Sequence, residues 1–377
     1  MLKIGIAGQR GLAFLKAFRA LPGVEVTALC DTNPEVLERN ASAHAIVGRY
    51  TEFAAMLDAV DIDAVVVSTP MHVHAEQSIR ALEQGKHVLS EVSACVTLDE
   101  CGRLLNAAER SSAVYAMAEN YCYGKDAVLV KELVRQGLFG VPYFGEGEYL
   151  HEIRHYHHNP DSSPTWRSVY QVGRRGCTYG THSLGPVMQW FQAADPSERV
   201  ATVSCHGTGV HTDPEHPHDD TCLMLVQLES GKLIKIRLDM LSNRPHLPAY
   251  YALQGTLGVY EASRFPGQPG QVWLGKSEDG AHRKWQPITE LYDSHLPTDW
   301  RNPPPEALAA GHGGGDYFVA RDFVRACLGE APPHCGIHDA LTWTACDILS
   351  EVSITNGGAP LRVPNFHNPT EKPLIYA

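Results

Sequence analysis

Two patterns of apolar and polar positions alternate along the first 120 residues of the chain. Short apolar runs, typical of buried strands, are separated by stretches in which apolar residues recur every three or four positions. The predicted strands are Ile4–Ala7, Val24–Cys30, Ala64–Ser68, His87–Ser90 and Val114–Ala118. The predicted helices include Leu12–Ala20, Pro34–Ala43, Ala75–Gln84 and Leu98–Glu109. This α/β alternation predicts a parallel sheet with helices on both faces.

After residue 121 the order changes from alternating elements to a series of strands followed by helices. The predicted strands are Tyr143–Ile153, Val200–His206, Thr221–Leu228, Leu233–Met240, Tyr250–Gly255 and Val259–Ala262, with a hairpin turn at Glu229–Lys232. The predicted helices are Asp126–Arg135, Val187–Phe191, Tyr317–Leu328 and Ala340–Asn356. We therefore predict two domains, at 1–121 and 122–377, the second being α+β with an open, mostly antiparallel sheet. No structure is predicted for residues 264–315, and the tail 360–377 is expected to pack back across the surface.

Composition narrows the class of protein. The 377 residues carry a formal net charge of −12 with no run of Lys and Arg, so we expect neither nucleic acid nor a membrane as partner. The ten cysteines include no Cys-x-x-Cys pair and are typical of small buried residues in a reducing compartment. The chain opens on a strand with no basic and apolar leader, which favours a cytoplasmic protein.

The first strand ends in a degenerate dinucleotide-binding turn. In the spacing G-x-G-x-x-G/A, Gly8 takes the first position, Arg10 the second and Ala13 the third, with Gly11 displaced by one. The first position needs Gly for a tight turn and the third needs a small residue for helix–strand packing. Asp31, at the end of the second strand, is placed to accept hydrogen bonds from the ribose hydroxyls. The turn therefore predicts a Rossmann domain, and the carboxylate favours NAD over NADP, although Arg10 offers a charge that pairs with a 2′-phosphate. Alternatively, Asp31 caps the following helix.

A second motif lies near residue 90. Gly85-Lys86-His87-Val88-Leu89-Ser90-Glu91-Val92-Ser93 resembles the Gly-Lys-His-Val-x-x-Glu-Lys-Pro segment of the Gfo/Idh/MocA oxidoreductases, and Thr69-Pro70-Met71-His72-Val73-His74 resembles their Thr-Pro-x-x-x-His loop. The resemblance implies a set of cofactor-flanking residues, namely Ser68, Thr69, Pro70, His72 and Glu91. It also implies a catalytic Lys at the position that Val92 occupies, and Val92 cannot titrate. For His74 a structural hydrogen bond and a role in the site stay open.

Three polar segments of the second domain offer a replacement for that lysine. They contain Tyr149 and His151, Trp166 and Arg167, and a stretch from Gly176 to Pro186 with Tyr179 and His182. Alternation along a strand puts Tyr149 and His151 on one face. Most Gfo/Idh/MocA dehydrogenases carry an Asp where Thr178 stands, so the acid and the lysine are both absent here while His182 is kept.

The region from Ala118 to Trp190 resembles the NAD-dependent α-N-acetylgalactosaminidases of glycoside hydrolase family 109, which are built on this fold. The shared motifs are Glu-Asn-x-x-Tyr from Glu119, Tyr-x-His at Tyr149, Trp-Arg at Trp166 and Tyr-x-Thr-His-x-Leu-Gly-Pro from Tyr179. Further motifs are Val-Arg-Gln-Gly-x-Phe-Gly from Val134 and, near the end, a His-Gly-Gly-x-Asp-like run from His312 to Asp316. Here Gly180 replaces a Pro.

The resemblance implies a hydride mechanism with no net redox change. NAD takes a hydride from C3 of the sugar while His182 accepts the hydroxyl proton, and Tyr149 then removes the acidified C2 proton. His151 and Tyr179 are candidates for stabilising the phenolate, since Tyr has a reference pKa of about 10. The resemblance also implies that Asn120, Trp166 and Arg167 lie at the cofactor.

Other interpretations of the same residues stay open. The chain is alternatively a simple NAD-dependent sugar or polyol dehydrogenase with His182 as its base, or a non-catalytic dinucleotide-binding sensor. The tyrosines and histidines are alternatively ordinary packing residues, and Trp166 with Arg167 a surface cation–π pair.

Two histidine clusters remain. One comprises His155, His157 and His158, and the other His211, His216 and His218. Both lie in Pro-containing segments without a recognisable ligand spacing, so we expect solvated loops and no metal. A small-molecule carbohydrate and a homo-oligomer are the expected partners, the latter by analogy of fold.

Overall fold

A six-stranded parallel sheet forms the centre of the first unit. The computed structural model describes residues 1–59, 61–245, 247–275 and 284–368. The strands of this sheet are β1 Leu2–Ala7, β2 Val24–Cys30, β3 Gly48–Tyr50, β4 Ala64–Val67, β5 His87–Ser90 and β6 Tyr115–Met117. Their order is β3-β2-β1-β4-β5-β6, and every neighbouring pair is parallel. The predicted doubly wound α/β architecture is confirmed.

A nine-stranded sheet forms the centre of the second unit. Its strands are β7 Pro142–Leu150, β8 Val200–Gly207, β9 Cys222–Leu228, β10 Leu233–Asp239, β11 Leu247–Gly255, β12 Gly258–Glu261, β13 Gln271–Leu274, β14 Gln286–Pro287 and β15 Leu361–Arg362. The order is β14-β13-β12-β11-β7-β10-β9-β8-β15, in which only β7 and β10 pair in parallel. The predicted open, mostly antiparallel sheet is confirmed.

Helices surround the two sheets. The α-helices are α1 Leu15–Ala20, α2 Pro34–Ala43, α3 Phe53–Ala59, α4 His74–Glu83, α5 Leu98–Arg110, α6 Lys125–Arg135, α7 Trp166–Tyr170, α8 Thr181–Ala194, α9 Tyr292–His295, α10 Thr298–Arg301, α11 Pro305–Leu308, α12 Gly315–Cys327 and α13 Ile337–Thr355. Short 3-10 helices occur at Gln9–Phe14, Met71–Val73, Asn120–Tyr123, Arg154–Tyr156, Ile288–Leu291 and His312–Gly314.

The chain does not divide into one amino-terminal and one carboxy-terminal piece. Residues 1–123 form the first unit together with residues 304–344, whereas residues 124–303 and the chain from 345 onward form the second. Helices α11 and α12 and the start of α13 therefore belong to the first unit, although they follow the second sheet in sequence. Of the tail, β15 pairs with β8, and residues 369–377 lie outside the described residues.

Several local predictions were wrong for physical reasons. An α-helix was predicted from Leu12, but the chain first makes the 3-10 turn Gln9–Phe14. Helix α8 begins at Thr181 and includes Pro186, which the sequence suggested as its boundary. The elements β3 and α3 were missed because both are short. The range 264–315, for which no structure was predicted, contains β13, β14 and five short helical segments between residues 288 and 314.

The second unit depends on a close approach between helix α8 and strand β7. A Cβ atom on Gly147 of β7 would lie 2.1 Å from the backbone oxygen of Ser183 in α8. A Cβ on Gly145 would lie 2.5 Å from the Val187 side chain. Real Cβ atoms do not reach such distances, so glycine at both positions lets the helix lie directly on the strand. Buried Val187 and Phe191 continue this contact along the helix.

Replacing Gly147 by Ala should therefore destabilise the protein by about 1–3 kcal/mol, because the helix must move away from the strand. Gly102→Ala is the matched control, since its Cβ would have no heavy atom within 4 Å inside helix α5. That control should stabilise the protein by roughly 0.5–1 kcal/mol. Urea unfolding of the three proteins measures the difference, and equal midpoints for Gly147→Ala and the parent would contradict the packing argument.

Candidate active site

The turn after β1 is built around two glycines. Gly8 has a φ of +88°, and a Cβ there would lie 2.4 Å from the Ser68 carbonyl oxygen. A Cβ on Gly11 would lie 2.6 Å from Ser68 Oγ and 2.7 Å from Ile6 Cγ2. Gly11 therefore provides the close packing that the sequence argument gave to Ala13, and Ala13 itself is exposed. The displaced glycine is the packing residue, and that part of the prediction was wrong.

Asp31 does not cap helix α2. The side chain of Asn33 is the cap, because its Oδ1 accepts hydrogen bonds from the N–H groups of Glu35 and Val36 at 3.0 and 3.2 Å. Asp31 Oδ1 accepts the N–H of Asn33 at 3.0 Å, which fixes the carboxylate at the carboxyl end of β2. The alternative that Asp31 is the helix cap is thus excluded, and its position next to the Gly8 turn suits a ribose-binding acid.

Hydrogen bonds of polar side chains fix the loop after β4. Ser68 Oγ donates to the carbonyl oxygens of Ala7 and Gly8 at 2.6 and 3.0 Å, so Ser68 supports the glycine turn. Thr69 Oγ1 donates to Gln77 at 2.7 Å, and Pro70 precedes the 3-10 turn that contains His72. Burial lowers the pKa of His72, which therefore favours the neutral ring.

His74 has a structural position. Its ring nitrogens lie 2.9 Å from the Ser93 carbonyl oxygen and 2.7 Å from that of Thr69, and the residue is 1 % exposed. Burial lowers the pKa of His74, against the opposing effect of the two carbonyl groups. The ring joins the loop after β4 to the segment after β5, which supports the structural interpretation.

A charged cluster of the first unit includes residues from opposite ends of the sequence. Arg10 lies 3.4 Å from the carboxylate of Glu91. Asn120 Nδ2 donates to Asp316 Oδ1 at 3.3 Å, and His312 Nδ1 lies 3.0 Å from the same oxygen. His312 itself has a φ of +53°, which is uncommon for a residue other than glycine and is typical of functional loops.

Asp316 is 1 % exposed, and burial alone would raise the pKa of its carboxyl group. The hydrogen bond and charge of His312, aided by Arg10 and Asn120, outweigh burial and lower the pKa instead. The sequence motif around His312 marked this loop, but nothing in it indicated that the loop returns to Asn120. An ionised Asp316 therefore holds the Asn120 side chain in place.

In the second unit, the four residues predicted to be catalytic form one cluster of rings. Tyr149 lies at its centre, with ring centroids 5.4 Å from His151, 5.8 Å from Tyr179 and 5.3 Å from His182. Tyr179 and His182 are themselves 4.8 Å apart and nearly perpendicular. Tyr149 and His182 are buried, at 6 % and 5 % exposure. A phenol surrounded by two imidazoles and a second phenol is suited to moving protons.

Helix α8 is adapted to hold His182. Pro186 has no N–H, so the carbonyl group of His182, four residues earlier, lacks its usual helical donor. The hydroxyl group of Tyr251 donates to that carbonyl oxygen instead, at 2.5 Å. At the start of the helix, the Gly180 N–H donates to Asp347 Oδ2 at 3.0 Å, and a Cβ on Gly180 would lie 2.3 Å from this carboxylate. Gly180 thus provides an N–H that a Pro at this position would lack.

Trp166 and Arg167, the other residues predicted for a site in this unit, contact each other. The Arg167 guanidinium lies 4.4 Å from the Trp166 ring centroid and 5.5 Å from that of Tyr156. Its Nη1 donates to Gln171 at 2.8 Å, so the structure contains the cation–π pair that was considered as an alternative. Thr178 stands in the place of the family's Asp. Its Oγ1 donates to the Gln171 carbonyl oxygen at 2.9 Å, so Thr178 makes a structural hydrogen bond.

We expected both histidine clusters to lie in solvated loops, and this was wrong for three of the six histidines. His157, His216 and His218 are buried, at 1 %, 8 % and 0 % exposure, whereas the neighbouring His155, His158 and His211 are exposed. Asp219 and Asp220 are buried as well and accept backbone N–H groups of the same loop. Side-chain hydrogen bonds fold the segment back on itself, which composition alone did not indicate.

Two family models match the chain. Residues 2–119 match the oxidoreductase family with an NAD-binding Rossmann fold, and residues 123–372 match the C-terminal domain of glycosyl hydrolase 109. Together these domains define an NAD-dependent enzyme of the oxidoreductase type that carries a glycosyl hydrolase domain.

The chain belongs to glycosyl hydrolase family 109. It is 32 % identical over 401 residues to a glycosyl hydrolase family 109 protein of Shewanella pealeana, covering 98 % of this chain and 86 % of the relative. It is also 32 % identical over 397 residues to an alpha-N-acetylgalactosaminidase of Shewanella oneidensis, covering 96 % of this chain and 84 % of the relative. The resemblance drawn from the sequence is confirmed.

Solved structures share the fold. Levoglucosan dehydrogenase in complex with NADH and L-sorbose superposes with a TM-score of 0.80 at 20 % identity, covering 97 % of this chain and 99 % of that one. An oxidoreductase domain protein from Kribbella flavida has a TM-score of 0.81 at 22 % identity, covering 96 % and 99 %. Among the described residues, no helix is both long and apolar enough to cross a bilayer.

The first unit fits NAD on its own geometry. A side chain at Gly8 would fill the space beside Ser68, and Asp31 is fixed at the adjacent strand end. Gly8, Gly11, Ser68 and Asp31 would hold the dinucleotide, with its pyrophosphate at the glycine turn and its ribose at the carboxylate.

Asp31→Asn tests the cofactor preference. The amide keeps an acceptor for the Asn33 N–H but loses the charge that repels a 2′-phosphate, so the preference for NAD⁺ over NADP⁺ should fall by about tenfold or more. Calorimetric titration with each cofactor measures the ratio. Glu109→Gln, an exposed acid of helix α5, is the charge-matched control and should leave the ratio unchanged. An unaltered ratio in Asp31→Asn would remove Asp31 from the site.

Proposed function

We propose that this chain cleaves a glycoside by a redox-neutral route of oxidation at C3, elimination, hydration and re-reduction. The observation that carries the proposal is the ring cluster, in which His151, Tyr179 and His182 surround the buried Tyr149. A simple dehydrogenase needs one proton acceptor for one hydroxyl group. A route that also breaks a C–H bond and a glycosidic bond needs several groups that donate and accept protons in turn.

His182 is proposed as the first base. When bound, NAD⁺ supplies an acceptor for the hydride of C3 and, as NADH, returns it at the end. The imidazole of His182 takes the proton of the C3 hydroxyl group, so that a ketone forms at C3. Val92, buried at 4 % exposure, has no titratable group to do this. Tyr251 and Pro186 serve this step by fixing the backbone of His182.

Tyr149 is proposed as the second base. The ketone at C3 makes the C2–H bond acidic, and the phenolate of Tyr149 removes that proton. A free tyrosine has a pKa of about 10, so a neutral solution contains little phenolate. His151 and Tyr179, whose rings lie within 6 Å of the Tyr149 ring, are proposed to stabilise the negative charge on its oxygen.

Loss of the C2 proton expels the substituent at C1, which takes up a proton and leaves as an alcohol, and a double bond forms between C1 and C2. The water molecule that adds next replaces the proton taken by the alcohol. Water adds at C1 while a proton returns to C2, and the hydride and hydroxyl proton then return to C3. Every proton removed is thus given back, and the net reaction is hydrolysis.

The proposed substrate is an α-N-acetylgalactosaminide, since a relative that matches 96 % of this chain is named an alpha-N-acetylgalactosaminidase. A cytoplasmic location and a homo-oligomeric state are likewise proposals. Leu223, Leu225 and Leu233, which are 40 %, 37 % and 36 % exposed on β9 and β10, support association through that sheet.

The second candidate is an NAD-dependent sugar dehydrogenase with His182 as its base. Thr178 stands where most Gfo/Idh/MocA dehydrogenases carry an Asp, whereas His182 is kept. This favours the dehydrogenase, because oxidation of a hydroxyl group requires only one base.

Cofactor turnover separates the two candidates. For a glycosidase of this type, glycoside cleavage should require NAD⁺ yet accumulate no NADH, and sugar released in heavy water should carry deuterium at C2. Absorbance of NADH and NMR of the product measure both. Cleavage without the C2 label would contradict the elimination, and NADH formed in proportion to product would establish the dehydrogenase.

Tyr149→Phe should lower glycoside cleavage and C2 exchange by about 10²–10⁴-fold, because a positioned base is lost. The transient reduction of NAD⁺ at the oxidation step should persist. Tyr143→Phe is the matched control, since Tyr143 lies on the same strand with 44 % exposure. Full cleavage activity in Tyr149→Phe would assign the second base to another residue.

A further inference from the structure

Three potential metal ligands meet on two loops of the second unit. His157 follows the 3-10 helix Arg154–Tyr156, and Asp213 and His216 lie in the loop between β8 and β9. One ligand atom from each residue lies within 4.8 Å of the others. The two loops are more than 50 positions apart in sequence, so neither segment has a ligand spacing by itself.

The ligand atoms of the three side chains lie close together. His216 Nδ1 lies 3.1 Å from Asp213 Oδ2, and His157 Nδ1 lies 4.0 Å from the same oxygen. The two imidazole rings are 4.9 Å apart at an angle of 61°. His157 is 1 % exposed, so a cation bound at its Nδ1 would be shielded from solvent.

The donor set selects a class of ion. A neutral imidazole offers a nitrogen lone pair to a metal ion. Two imidazoles and a carboxylate suit Zn²⁺ and neighbouring divalent transition metals, whereas Mg²⁺ and Ca²⁺ require mainly oxygen ligands.

We propose that His157, Asp213 and His216 bind one Zn²⁺ or a similar first-row divalent metal ion, with a fourth position occupied by water. Tetrahedral bonds of about 2.0–2.2 Å place neighbouring ligand atoms about 3.3 Å apart. The pair formed by His216 and Asp213 already has that separation, and His157 needs to move inward by less than 1 Å relative to Asp213.

The metal would join two loops that form separate sets of hydrogen bonds. The His157 carbonyl oxygen accepts the N–H of Thr165 at 2.8 Å and a hydrogen bond from Ser168 Oγ, so His157 is bonded to both sides of the Trp166–Arg167 pair. On the other loop, Asp219 holds Arg175 through two hydrogen bonds at 3.0 and 2.9 Å. A metal at His157 therefore holds the segment between β7 and α7 against the loop between β8 and β9.

Metal binding by the untagged full-length chain tests the proposal. After removal of metal with a chelator, titration with ZnCl₂ should show one tight site per chain. Asp213→Asn and His216→Gln should each weaken that site by at least about tenfold, because loss of groups that only support a ligand already costs about 10–100-fold. His155→Gln, an exposed histidine of the same segment, is the matched control and should bind as the parent does. Hydrogen exchange at 151–168 and 208–221 should slow on adding Zn²⁺ to the parent.

The proposal is overturned if the parent binds no Zn²⁺, or if both ligand variants bind it as tightly as the parent. Binding of NAD⁺ by each variant serves as the test of folding. If neither variant folds, anomalous scattering at the zinc edge from crystals of the parent decides the question. A peak between His157, Asp213 and His216 supports the site, and a peak elsewhere or none overturns it. None of these readouts depends on glycosidase activity.

Discussion

The close contact between α8 and β7 is the constraint on which the candidate active site depends. Strand β7 carries Tyr149 and helix α8 carries His182, so the distance between their rings follows from the distance between the two backbones. Gly147 makes this distance short, because its missing Cβ is replaced by the carbonyl group of Ser183. The 5.3 Å between the two rings is therefore a property of the packing. Chemistry that needs Tyr149 and His182 together requires a glycine two positions before the tyrosine.

The position of α8 leaves backbone polar groups without helical partners, and residues distant in sequence bond to them. A helix that begins in the interior exposes its first N–H groups and, at Pro186, one additional carbonyl group to a nonpolar environment. Asp347 from α13 accepts the Gly180 N–H, and Tyr251 from β11 donates to the His182 carbonyl oxygen. Unpaired polar groups there would cost about 1–3 kcal/mol each. Two elements that provide no proposed catalytic group are thus needed to hold His182 in position.

Periodicity predicted the parts of this structure that depend on neighbouring residues. Alternation along β7 placed Tyr149 and His151 on one face, and their rings are in contact. The sequence could not show that α8 begins at Thr181, because Pro186 resembles a helix boundary. The Tyr251 hydroxyl group that bonds to the His182 carbonyl oxygen lies 69 positions after His182. The return of Asp316 to Asn120 and the meeting of His157 with His216 depend on contacts between distant segments. Such contacts leave no local signature in a single sequence.

The exchange of a lysine for Val92 has a consistent physical meaning under the proposed route. A lysine ammonium stabilises the alkoxide of a reacting hydroxyl group, in oxidation and in the reverse reduction alike. A redox-neutral cycle must return each proton to the atom from which it came, so its groups need comparable ability as acids and as bases. Phenol and imidazole groups in mutual contact have that ability, since a proton moved between them creates or removes one nearby charge. In this respect the ring cluster around Tyr149 suits a reversible cycle.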